Sequence, residues 1–130
     1  MVLVHGLAVS HRYMMPLAVR LAARHPVRVV DLPGFGLSGK PARTLDLPEM
    51  ADRLAEWLET ADAAPAVLLG NSFGCQVAVE VAVRHPTLAR GLVLAGPITD
   101  AHARSAPPAD PALAARPAAR GSLPGAHPPA

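Results

Sequence analysis

Cysteine and aromatic residues are scarce in this sequence, and a long apolar run, a clustered basic patch and a signal-like start are all missing. Of the 130 residues one is cysteine and four are aromatic. The lone Cys75 excludes a disulfide framework and a paired-cysteine metal motif, and it fits a cytoplasmic location. With so few rings the core must be built from Ala, Val and Leu, and apolar residues make up 51% of the chain. At this length folding removes roughly two-thirds of the unfolded surface from water, so one sizeable core is possible. The N-terminus enters Val2-Leu3-Val4-His5-Gly6 directly, without a basic region or a membrane-length apolar stretch, which argues against a signal peptide or a span. Formal net charge is +2, but Arg104, Arg116 and Arg120 against Asp110 account for it; residues 1–100 carry nine basic and nine acidic side chains. A neutral folded part with no basic stripe and no interleaved aromatics excludes a nucleic-acid partner. The expectation is a soluble protein with neither a nucleic-acid nor a membrane partner.

What is present is an alternation. Short Val- and Leu-rich runs are separated by longer segments of helical period, the pattern of parallel strands joined by crossover helices. The first strand is Val2-Leu3-Val4, and a helix follows from about Ser10, with Tyr13, Met14, Leu17 and Leu21 on one face and Pro26 as its stop. Val27-Arg28-Val29-Val30-Asp31 is the second strand, and the Gly-rich residues 32–39 after it form a loop. The second helix starts at Asp46, which can cap it while Glu49 returns a bond to the cap; Met50, Leu54, Trp57, Leu58 and Ala61 make its apolar stripe. Residues 66–69 are a third, continuously apolar strand. The third helix, about 73–85, buries Val77, Ala78 and Val81, and Leu92-Val93-Leu94-Ala95 is the fourth strand. The fold class is α/β, a four-stranded parallel sheet with helices on both faces.

Residues 101–130 differ in kind. Eleven are Ala, seven are Pro, and the only large aliphatics are Leu113 and Leu123. Such a segment cannot bury enough to offset the entropy of ordering it, so it is expected to be a disordered C-terminal tail after a folded unit of residues 1–100. Ala, Pro, Arg and Gly are also the residues of GC-rich codons, and the chain holds eleven Arg to one Lys. The tail therefore fits a GC-rich gene read out of frame after about residue 100.

The chemistry centres on Gly70-Asn71-Ser72-Phe73-Gly74. A serine hydroxyl is a poor nucleophile; an enzyme that uses one must expose it, set a base beside it and supply donors for the oxyanion formed on attack. A sharp strand-to-helix turn exposes Ser72 and aims the free N–H groups of the following helix at it, while close packing excludes side chains two residues either way. The bare pattern arises by chance in about one chain in twenty-five of this length. Here it directly follows an apolar strand and precedes a helix, which is the context the motif requires.

With this elbow, His5-Gly6-Leu7 and Asp31-Leu32-Pro33-Gly34-Phe35-Gly36-Leu37-Ser38 occur in matching order and spacing. Residues 2–99 thereby resemble the middle of the α/β-hydrolase fold superfamily, its third to sixth strands, with residues 91–97 as the sixth. The resemblance implies Ser72 as nucleophile, the backbone N–H groups of Leu7 and Phe73 as the oxyanion hole, a small-molecule substrate, and no metal or cofactor. Serine at the elbow is similar to the serine branch; dehalogenases and epoxide hydrolases of this fold carry Asp there. The form Gly-Asn-Ser-Phe-Gly is similar to carbon–carbon bond hydrolases of aromatic ring-fission products, with esterases and serine haloperoxidase-like enzymes close by. Cys75 departs from the small Gly or Ala common at its position and reads as a buried helix residue.

The base is the open question. In this fold acid and His follow the nucleophile in the chain, so His5 and His11 come too early: His5 is expected to fix its loop, His11 to be a solvated helix start. His25 and His85 belong to a repeated Arg-His-Pro that ends helices. His102 and His127 fall in or beside the tail, where nothing would hold an imidazole near Ser72. Asp31 follows the wrong strand and reads as a loop anchor, and Asp100 is a weak acid candidate. The superfamily resemblance implies eight strands, so a truncated, weakly active or inactive form is expected, with open sheet edges. The alternative is a non-catalytic fragment that binds a ligand or partner through those edges. Oligomeric state is not legible.

Overall fold

A computed structural model describes residues 1–97. The expected tail, its boundary at residue 100, and the candidates Asp100, His102 and His127 lie outside the described residues.

Seven elements follow one another: β1 (Val2–Val4), α1 (His11–Ala22), β2 (Arg28–Val30), α2 (Leu47–Thr60), β3 (Ala66–Asn71), α3 (Phe73–Arg84) and β4 (Ala89–Ala95). The four strands form one sheet in the order β2-β1-β3-β4. Every pairing is parallel, with Val2 beside Arg28 on one side and Leu68 on the other, and Leu69 beside Val93. The expected four-stranded parallel sheet with helices on both faces is what the chain forms.

Because strand side chains alternate, β1 serves two cores. Val2 and Val4 join Leu68 on the face covered by α2 and α3, together with Met50, Leu54, Leu58, Val77 and Val81. Leu3 and Leu69 face the other way, toward Met14 and Ala18 of α1. Leu3, Leu58 and Leu68 are fully withdrawn from water, each such side chain stabilising the fold by about 1.5–3 kcal/mol before entropy is counted. The start of α2 is the anticipated capping box: the Glu49 N–H donates to Asp46 at 2.9 Å, and the Asp46 N–H donates back to the Glu49 carboxylate at 3.0 Å.

Three details differ from expectation. Helix α1 buries Met14 and Ala18, with Leu21 at the margin, whereas Tyr13 is 60% and Leu17 38% exposed. A small residue at position 18 lets the helix lie close against the narrow sheet, so the large side chains are turned to its flanks. In α2 the fully buried additions are Ala51 and Ala55; Trp57 is only partly buried and Ala61 is the C-terminal cap. Strand β4 begins at Ala89 rather than Leu92. As an edge strand paired on one side, it tolerates Arg90 and Gly91 within the ladder. Leu92, Val93 and Leu94 on it remain 38–43% exposed. No described helix is long and apolar enough to cross a membrane.

Candidate active site

Strand β3 ends at Asn71 and α3 starts at Phe73, leaving Ser72 alone to turn the chain. Its backbone sits at φ 54° and ψ −117°. For a residue with a Cβ this is a sparsely populated conformation costing of order 1–3 kcal/mol, and it persists only where the surroundings dictate it. The Ser72 N–H donates to the Ala95 carbonyl at 3.0 Å, tying the turn to the end of β4, and the Ser72 carbonyl accepts the Cys75 N–H at 3.0 Å. The glycines complete the constraint. A Cβ on Gly70 would stand 2.6 Å from the Cys75 nitrogen and collide with the Gly74 carbonyl oxygen. One on Gly74 would stand 2.6 Å from the His5 carbonyl oxygen and collide with that of Val4. The start of α3 thus rests backbone to backbone on β1.

That approach brings the loop after β1 to the serine: a Cβ on Gly6 would lie 3.3 Å from the Ser72 Cβ. His5, fully buried, holds this loop. Its Nε2 accepts the Leu32 N–H at 3.0 Å, which leaves the ring proton on Nδ1, and Nδ1–H donates to the Gly6 carbonyl at 2.7 Å. The Phe35 ring meets the imidazole edge-on at 5.4 Å between centroids. Phe73 is the first residue of α3, so its N–H has no acceptor within the helix and lies at the positive end of the helix dipole. Leu7 and Phe73 line a common cleft of about 340 Å³, with Phe35, Leu45 and Met50 as apolar walls and Lys40 and Arg43 at the rim. A larger cleft of about 450 Å³ lies between β2 and α2, beside Asp31 and Trp57. Ser72 lines neither cleft, but Leu7 and its neighbour Phe73 line only the smaller one, which is therefore the one beside the candidate nucleophile.

The structure thus brings Ser72, Leu7 and Phe73 together. It separates the remaining candidates from them. Among the described residues no side chain is hydrogen-bonded to the Ser72 hydroxyl. His11 is no solvated helix start: its N–H and Nδ1 bond the Asp31 carboxylate at 2.6 and 2.7 Å. Burial alone would raise the Asp31 carboxyl, but N–H bonds from Leu37 and His11, then the His11 ring, outweigh it and hold the group below the usual carboxylate range. His25 is exposed beyond α1. His85 ends α3 as expected, and its Nε2 also bonds Asp52 of α2 at 2.7 Å, beside a paired contact from Arg84. Those two bonds, Arg84 first, hold Asp52 down to about 2. Cys75 is buried, which pushes its thiol up. The His11–Asp31 and His85–Asp52 pairs were missed from the sequence because their members are far apart in it. The one local trace is Gly36, where any Cβ would collide with the Asp31 carboxylate.

Comparison with known proteins places this arrangement. The family profile described as alpha/beta hydrolase fold matches residues 1–125. A 2-(acetamidomethylene)succinate hydrolase of Mesorhizobium japonicum is 33% identical over 93 residues, covering 72% of this chain. A pimeloyl-[acyl-carrier protein] methyl ester esterase of Neisseria meningitidis is 39% identical over 92 residues, covering 71%. The chain spans 34% of the length of each of these relatives. Among solved structures, Est816, described as an N-acyl homoserine lactone degrading enzyme, superposes with a TM-score of 0.71 at 27% identity, covering 82% of this chain and 41% of its own. On the profile match and the relatives above 30% identity, this chain belongs to the α/β-hydrolase fold family.

Proposed function

We propose that the chain carries the nucleophile and oxyanion half of a serine-dependent hydrolase acting on a small ester-like or carbon–carbon acyl substrate. Ser72 Oγ adds to the substrate carbonyl as its proton passes to solvent water, the carbonyl oxygen becomes an oxyanion between the N–H groups of Leu7 and Phe73, and collapse expels the leaving group, which takes up a proton from water, to give an acyl-enzyme that a second water then cleaves. A tetrahedral species that releases a carbon leaving group would use the same donors. The observation that carries the reading is the backbone of Ser72, strained at φ 54° and enforced by glycines that admit no side chain. Strain of this kind at a half-buried hydroxyl beside a helix N-terminus supports an activated serine. The hydrolase and esterase named among the relatives support a small carbonyl substrate, and the unpaired, buried Cys75 supports a cytoplasmic setting.

Without a base, such a site retains only the acceleration from its oxyanion hole and binding, about three orders of magnitude over water. The described residues alone therefore support weak turnover. An alkyl fluorophosphonate probe tests the reading: labelling of Ser72 in the 130-residue chain, abolished in Ser72→Ala, is expected. A folded, helical sample that never labels refutes it.

A second reading is favoured by β4, which among the described residues is paired on one side only, and by the exposed Leu92, Val93 and Leu94. On that reading the chain is a non-catalytic binding fragment. Absent labelling together with concentration-dependent association would support it.

A further inference from the structure

We propose that Asp31 is a positioning residue for the Ser72 reaction, fixing the loop that presents the Leu7 N–H by fastening its far end while His5 fastens the near one. The proposal rests on the serine-hydrolase reading of the same site.

Residues 5–10 join β1 to α1 and carry the proposed oxyanion donor. Little in the loop itself holds it. The Leu7 side chain is 62% exposed, so it is not anchored by burial, and Ala8 sits at φ 60°, in the left-handed region that a residue with a Cβ adopts reluctantly. A loop of that length, free at either end, would let the Leu7 N–H wander by more than an oxyanion contact tolerates.

Both ends are instead bonded to two consecutive residues leaving β2. At the near end, the His5 ring bridges the Leu32 N–H and the Gly6 carbonyl at 3.0 and 2.7 Å. At the far end, the His11 N–H and the His11 ring reach Asp31 at 2.6 and 2.7 Å. The Asp31 side chain is only 7% exposed and takes a further bond from the Leu37 N–H at 2.9 Å, while the Ser38 hydroxyl donates to its carbonyl at 2.6 Å. Hydrogen bonds to an ionised acceptor are about twice as strong as neutral ones, and an acceptor withdrawn from water competes with little solvent. Gly36 turns at φ 52° directly over the carboxylate, where any side chain would collide with it, so the loop backbone packs close on Asp31. The Asp31–Leu32 pair thus sets the distance between the two ends of the oxyanion loop, and through Gly6 the distance from that loop to Ser72.

Asp31→Asn keeps the shape and removes the charge; His11→Ala removes only the ring bond. In the 130-residue chain, ¹⁵N relaxation should show Leu7 and Ala8 falling from an order parameter of about 0.85 to below about 0.6 in Asp31→Asn, with β1 and β3 unchanged. The maximal rate of Ser72 labelling by an alkyl fluorophosphonate should fall at least about tenfold at an unchanged half-saturating concentration, the signature of lost transition-state stabilisation rather than binding. His11→Ala should show part of both effects, and the double variant no more than Asp31→Asn alone. If Asp31→Asn does not fold, His11→Ala carries the same readouts. Rigid Leu7 and Ala8 amides in the variants, or a loss expressed only as weaker probe binding, would overturn the proposal. A wild-type chain that never labels at Ser72 would overturn the serine-hydrolase reading, and the relaxation data would then decide alone whether Asp31 holds the loop.

Discussion

Replacing Gly74 by alanine tests the backbone-to-backbone seat of α3 on β1. In an exposed helix interior, Gly→Ala gains roughly 1 kcal/mol through propensity. Here the added methyl would stand 2.6 Å from the His5 carbonyl oxygen, where ordinary contact begins at 3.4 Å, and closer still to that of Val4. Relief of both contacts requires α3 to withdraw by more than about 0.8 Å, and overpacking of this sort costs about 1–3 kcal/mol, here against the backbone carbonyls at the end of β1. Set against the propensity gain, the net expectation is a destabilisation of up to about 2 kcal/mol, read as a lower urea midpoint at unchanged slope. Because the same withdrawal carries the Phe73 N–H away from the proposed oxyanion position, labelling of Ser72 should fall by about a hundredfold. Gly39→Ala is the control: a Cβ there meets nothing within 4 Å, so it should be neutral or slightly stabilising. A Gly74→Ala protein as stable as the Gly39→Ala protein would refute the reasoning.

Ser72→Gly should raise the urea midpoint by about 1 kcal/mol equivalent, since glycine relaxes a backbone at φ 54° that Ser72→Ala leaves strained; equal midpoints for the two variants would show an unstrained turn. Asp52, held at about 2 against an ordinary 3.8 by Arg84 and then His85, is a depressed acid. Its contribution is therefore fully present above about pH 4 and lost as pH falls toward 2; thermal midpoints of wild type and Asp52→Asn should differ at pH 6 and converge at pH 2. Val93→Lys, on an uncovered position of the edge strand, should reduce self-association in concentrated samples by light scattering, and unchanged scattering would mean that β4 is not the sticky edge.

The parts of the fold that were legible are those in which neighbours in sequence are neighbours in space. The Asp46–Glu49 box, the apolar run before Ser72 and the paired glycines all act within a few residues, and each lies where the sequence put it. The buried face of α1 was misread because hydrophobicity favours large side chains, while a helix on a narrow sheet is seated by a small one, Ala18. Ala51 and Ala55 were passed over in α2 for the same reason. At the candidate site, the strand–turn–helix setting of Ser72 was legible from its local motif. The role of His11 was not, since its partner Asp31 arrives through strand pairing rather than through sequence spacing.

The strand order has a consequence for how the site comes into being. Strand β1 first finds β2, a nearby partner; its other side waits for β3, since Val2 pairs with Leu68 across α1, β2 and α2. Loop-closure entropy makes that pairing the slow one. The proposed oxyanion loop and its anchors on Asp31 and Leu32 all belong to the early part of the chain, whereas Ser72 has no reason to adopt its costly conformation until β3 has slotted in beside β1, Gly74 has met the Val4 carbonyl and the end of β4 has accepted the Ser72 N–H. On the proposed reading, Ser72 would therefore take up its strained conformation only with the pairing of longest sequence separation, and a nascent or partly folded chain would carry an ordinary serine.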